Sequence, residues 1–87
     1  MRAALARLAA WLLKRRFVGR KAYRVAMLDG LPVIVGEGKI IAAGMEPQKQ
    51  RFVVKFIENG HTLAHARTLD VRDLRLDRHL KTWVFND

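Results

Sequence analysis

The stretch VKFIENGHTLAHARTLDVRDLRL (Val54–Leu76) decides the fold, because its turn sets which side chains face a core. It completes RFVVKFIE (51–58), a run rich in phenylalanine and valine that reads as a strand, and then turns at Asn59-Gly60. A two-residue Asn-Gly loop would set Phe52, Val54 and Phe56 beside Leu63, His65 and Arg67, which buries charge or exposes phenylalanine. A three-residue loop, with Glu58 and Asn59 in a type I turn and Gly60 left-handed, sets the same residues beside Thr62, Ala64 and Ala66. The second register is preferred. It predicts an antiparallel pair of 51–58 with 61–68 and sends Arg51, Lys55, His61, Leu63, His65 and Arg67 to the other face.

Upstream, KAYRVAML (21–28) alternates as a strand, DGLP (29–32) carries turn chemistry, and VIVGEGKIIAAG (33–44) is two short apolar runs around Gly36 and Gly38. GEG lacks the lysine and serine of a phosphate loop, so these glycines read as a sharp strand bend. Four to six short antiparallel strands are expected in all. Before them, RAALARLAAWLLKRRF has the alanine and leucine content of a strong helix former and no glycine or proline, which predicts a helix over 3–17. Leu5, Leu8 and Leu12 share one sector, Trp11 borders it, and Arg7 and Lys14 lie opposite, so the helix is amphipathic. Its length and charge exclude a bilayer span, and Arg7 with the closing basic residues argues against a signal peptide. The preferred reading has the leucine face covering an open side of the sheet; a membrane-surface role is the alternative.

A chain of 87 residues is read as one compact unit, with a helix at 1–18 and a β domain at 19–87. It holds 17 Lys and Arg against 8 Asp and Glu, a formal net charge of +9, yet 51% of its residues are hydrophobic: it folds, and it favours an anionic partner. The first 28 positions hold no acidic residue, and the basic residues cluster there. With no cysteine, disulfides, thiolate zinc sites and cysteine nucleophiles are excluded, and a cytoplasmic setting is the default expectation.

The glycine-marked strand, the VKF strand closed by a tight turn, and a corner holding Val71, Asp73 and Leu74 together resemble the SH3-like barrels of the Tudor and KOW kind, over about residues 31–76. The resemblance implies an α+β, mainly β fold: an N-terminal amphipathic helix followed by a small SH3-like antiparallel β-barrel. Such barrels bind nucleic acid, ribosome or polymerase surfaces, or methylated side chains. A methyl-reader cage needs several aromatics, and this chain has only Tyr23, two tryptophans and four phenylalanines.

Catalytic and cofactor chemistry finds no support. The chain has no serine, and Asp70, Asp73 and Asp77 stand among Arg72, Arg75 and Arg78, where ion pairing is the expectation. On a strand His61 and His65 would lie about 13 Å apart, too far for one metal ion. The leading expectation is a non-enzymatic module that binds DNA or RNA with low specificity through phosphate contacts. Its contact residues would be Lys14, Arg15, Arg16, Arg20, Lys21 and Arg24 on a basic arm, and Arg51, Lys55 and Arg67 on the strand face. Tyr23 and Trp83 are read either as stacking platforms or as core. The other readings are an accessory or inhibitor protein docked on a larger protein complex, a peripheral protein on an anionic membrane surface, and self-association into a homo-oligomer.

Overall fold

The computed structural model describes the backbone of residues 2–87 and the side-chain surroundings of all of these but residues 2, 3 and 6. One helix, α1 (Arg2–Phe17), precedes six strands: β1 (Lys21–Leu28), β2 (Leu31–Glu46), β3 (Arg51–Glu58), β4 (Arg67–Asp70), β5 (Arg75–Asp77) and β6 (Thr82–Asn86). The strands form one sheet in the order β4-β3-β2-β1-β6-β5. All neighbours are antiparallel except β1 and β6, which run parallel. The expectation of an all-antiparallel sheet is thereby corrected.

No ladder joins β4 to β5, so the expected closed barrel is an open sheet. Its two outer strands are nonetheless consecutive in the chain, linked by a 3₁₀ turn at Val71–Asp73. Six strands laid flat would span ~24 Å. The five-residue step from Asp70 to Arg75 reaches at most ~17 Å even fully extended, so the sheet is strongly coiled. That coil lets one face close over Ile40, Val54, Phe56, Leu69, Trp83 and Phe85, with Phe56 edge-on to Phe85 at 4.9 Å.

The two apolar runs of residues 33–44 are a single long strand. β2 pairs with β1 along its first half and β3 along its second, with register shifts opposite Arg24/Val25 and between Ile40 and Ala42. Gly38 lies where the pairing changes over. A Cβ there would meet the Ile57 carbonyl and come within 2.7 Å of Glu58 Cα, so the close approach of β3 demands glycine. Gly38 is thus explained by this close approach rather than by the sharp strand bend read from GEG.

Gly60 has φ 86°, as the turn argument requires, but the predicted partner strand is displaced. After the turn at residues 59 and 60 the chain leaves the ladder, passes through a 3₁₀ segment at Leu63–His65, and β3 pairs with β4 at Val54↔Leu69 and Phe56↔Arg67. The pairing of 51–58 with 61–68 is therefore corrected. Thr62, Ala64 and Ala66 offer little apolar area, whereas Leu69 opposite Val54 is buried, so the register follows the larger hydrophobe.

The helix is also turned differently from the expectation. Phe17 is 3% exposed and its ring stands 4.7 Å from that of Trp83, and Leu13 packs on the same cluster. The helix ends at Gly19, whose φ of 84° breaks it and whose N–H donates to the Ile40 carbonyl at 2.8 Å; Ile40 N–H donates back to the Arg20 carbonyl at 2.9 Å. These bonds and Phe17 fix the rotation of α1. Leu5, Leu8 and Leu12 consequently face away from the sheet, at 67%, 53% and 51% exposure, with Trp11 at 53%. The core is already filled by the sheet's own aromatics, so the last turn alone is admitted. The long axis of 49 Å, against 28 and 22 Å for the others, fits a helix that projects from the sheet.

Candidate functional site

The nine residues expected to bind phosphate fall into two groups. On the strands, Lys21, Arg24, Arg51 and Arg67 are tied to carboxylates. Arg24 donates to Glu58 at 2.5 Å and reaches Asp87 at 3.1 Å. Lys21 pairs with Glu37 at 2.9 Å. Arg51 stands 3.4 Å from Glu46 and 3.8 Å from Asp70. Arg67 pairs with Asp87 at 3.4 Å, its guanidinium 5.4 Å from the Phe85 centroid. Lys55 donates to Thr68 Oγ1. The pairing is reflected in protonation: the Glu58 hydrogen bond raises the Arg24 pKa and the Glu37 hydrogen bond raises that of Lys21, while Arg24 holds the Asp87 carboxyl below its ordinary value.

At the end of α1 the situation is reversed. Lys14, Arg15, Arg16 and Arg20 are exposed and, among the described residues, make no salt bridge. Three of them occupy the last helical turn, where the dipole favours cations. Arg15 lies 5.4 Å from the Trp11 ring centroid and Arg16 5.2 Å from that of Trp83. The fold brings two further lysines near this end: Lys39, which the sequence reading did not single out, and Lys81 of the second, more dilute basic group formed with Arg67, Arg72, Arg75 and Arg78. Lys39 is the register partner of Lys21, and Lys81 precedes Thr82, whose hydroxyl donates to the Lys21 carbonyl at 2.6 Å. Both placements follow from strand neighbours distant in sequence, so no local signal marks them. Trp83 is buried in the core, which removes it as a stacking platform; Tyr23 is half-buried, with Lys21 Nζ 5.9 Å from its ring centroid.

The unpaired cations border the exposed stripe of Leu5, Leu8, Trp11 and Leu12. A shallow groove of about 670 Å³ continues the stripe between α1 and β2, lined by Trp11, Lys14, Arg15, Val18, Ile41, Ala42 and Ala43. The bulge between Ile40 and Ala42 breaks the alternation of β2 and leaves Ile41 and Ala42 exposed in succession beside the helix.

Two other expectations change. His61 and His65 lie with ring centroids 5.6 Å apart, because residues 63–65 form a 3₁₀ turn rather than a strand. The 13 Å separation was thus an error of secondary structure; among the described residues, however, no group of three or more His, Cys, Asp or Glu gathers as a metal site. Of the corner aspartates, Asp70 pairs with Arg72 at 3.1 Å as expected. Asp77 instead accepts backbone N–H bonds from His79 and Leu80, both at 2.9 Å, and caps the turn before β6.

No family model, no curated protein and no solved structure matches this chain. Among the described residues, no helix is long and apolar enough to cross a membrane.

Proposed function

We propose that the protein is a non-enzymatic binding module that docks on the surface of an anionic membrane through α1. The observation that carries this reading is the pairing, on one helix, of four exposed large apolar side chains with cations that make no salt bridge among the described residues. A phosphate backbone has no use for Leu5, Leu8 and Leu12, whereas a lipid interface accepts both kinds of group. The leucines enter the acyl boundary, Trp11 sits at the headgroup level, and Arg15 and Arg16, which flank the leucines on the helix, reach the phosphates together with Arg20 just past its end. Each basic residue near an anionic leaflet contributes about 1 kcal/mol, and the cytoplasmic leaflet carries such a surface. The 3₁₀ turn that joins the outer strands supports reading the coiled sheet as an SH3-like domain; on that reading the sheet is the rigid body from which the helix projects.

Association with DNA or RNA is the second reading, favoured by the convergence of Lys39 and Lys81 on the basic helix end. Its strand-face half is weakened, since Arg24, Arg51 and Arg67 are engaged by carboxylates.

Flotation with vesicles decides between them. Wild-type protein is expected to float with phosphatidylglycerol-containing vesicles and not with phosphatidylcholine alone, and Lys14→Glu/Arg15→Glu/Arg20→Glu should stay at the bottom while melting normally. Failure to float, together with nucleic-acid binding that weakens steeply with salt, would replace the membrane reading with the second. Failure in both assays would leave docking on a larger protein complex.

A further inference from the structure

The groove between α1 and β2 differs from the flat leucine stripe beside it. It is an open trough of about 670 Å³, wide enough for a chain-like ligand to lie along it but not to be enclosed. Its floor is apolar: Ile41 and Ala42, displaced outward by the bulge, with Val18 and the Trp11 ring at the sides. Its rim is cationic. Lys14 and Arg15 line it, and neither makes a salt bridge among the described residues; the Arg15 guanidinium lies over the Trp11 ring, 5.4 Å from its centroid. Apolar surface lined by two cations that make no salt bridge among the described residues is complementary to one kind of molecule, an apolar chain ending in an anion.

We infer that this groove seats one phospholipid of the docked bilayer, an acyl chain against Ile41, Ala42 and Val18 and its phosphate between Lys14 and Arg15. The inference rests on the membrane reading and makes it more specific: α1 then binds one lipid stoichiometrically besides lying on many.

Trp11 reports on the seat, since the other tryptophan, Trp83, is buried and Trp11→Phe supplies the background. The first arm titrates the protein with phosphatidylglycerol vesicles whose acyl chains are brominated, reading quenching of Trp11. The second titrates it with dodecyl phosphate below its micelle concentration. Two variants test the groove without touching the leucines: Ala42→Phe fills it, and Ile41→Asp sets a carboxylate in its floor. Both positions are exposed, and thermal melts check that each variant folds.

The expected result is quenching on vesicles, one-to-one saturable binding of dodecyl phosphate, and a loss of about four- to fifteenfold in the latter affinity for each variant, the effect of forfeiting one or two buried methylenes. Vesicle binding in which neither variant changes anything and dodecyl phosphate does not saturate would overturn the groove while leaving the membrane reading intact. Saturable dodecyl phosphate binding without any vesicle binding would overturn the bilayer as the lipid's source, together with the membrane reading. Absence of both would overturn both.

Discussion

Shortening Leu8 and Leu12 to alanine separates what α1 does for the fold from what it does for a partner. Both side chains are just over half exposed and lie outside the core cluster, which among the described residues takes Leu13 and Phe17 from the helix. Each Leu→Ala change removes three carbons, worth about 0.8 kcal/mol apiece when taken fully out of water. Because half of each side chain is still wetted in the free protein, immersion recovers roughly half of this, ~1.2 kcal/mol per leucine. The double variant should therefore lose ~2.4 kcal/mol of vesicle binding, about fiftyfold in the partition coefficient. Helix propensity does not confound the result, since alanine is the better helix former. Sedimentation of phosphatidylglycerol vesicles measures the partition, and a thermal melt of the free protein measures stability. The melting temperature should hold, whereas the same two changes in a packed core would cost about 2–5 kcal/mol each. A sharply lowered melt would show the leucines to be packed after all, and an unchanged partition would remove the stripe from the docking surface.

Gly38→Ala should destabilise the domain by about 1–3 kcal/mol, because the added Cβ meets backbone of β3 that the sheet holds in place. Gly44→Ala, where a Cβ meets nothing within 4 Å, is the matched control and should melt at or above the wild-type temperature. Stability should also fall in acid. The Asp70 carboxyl is 8% exposed and is held below the ordinary value of 3.8 by the Arg72 side chain, then by the Arg72 N–H. A lowered folded pKa means that its contribution is complete above 3.8 and is lost as pH falls through the folded value. Melts of wild type and Asp70→Asn between pH 6 and 2.5 should converge at the acid end; parallel curves would rule out Asp70 as a source of the slope.

What was local in this fold was legible in the chain. Composition placed α1 and the β3 strand, and the Asn59-Gly60 turn required the left-handed glycine that is found. These are preferences of a few adjacent residues, and tertiary contacts did not need to overrule them. Register was different: Val54 pairs with Leu69 because the coiled sheet leaves room there for a leucine, a fact that no spacing around the turn contains. The same holds for His61 and His65, whose separation depends on whether the chain between them is extended or wound. The amphipathic reading of α1 was only half right: the helix carries apolar residues on two faces, Leu13 and Phe17 on one and Leu5, Leu8 and Leu12 on another, with Arg15 and Arg16 flanking the second, so its pattern could not say which face packs. The seating of Phe17 against Trp83 and the hydrogen bonds of Gly19 and Arg20 with Ile40 fixed the helix rotation and turned its leucines outward. Charge followed the same division. The sequence by itself determined that the protein is basic and that its first 28 residues are free of acid, so their cations have no partner nearby in the chain. Only the tertiary structure decided which cations stay available, because Glu37, Glu46, Glu58, Asp70 and Asp87 reach the strand-borne Lys21, Arg24, Arg51 and Arg67 across the sheet and none reaches the helix end.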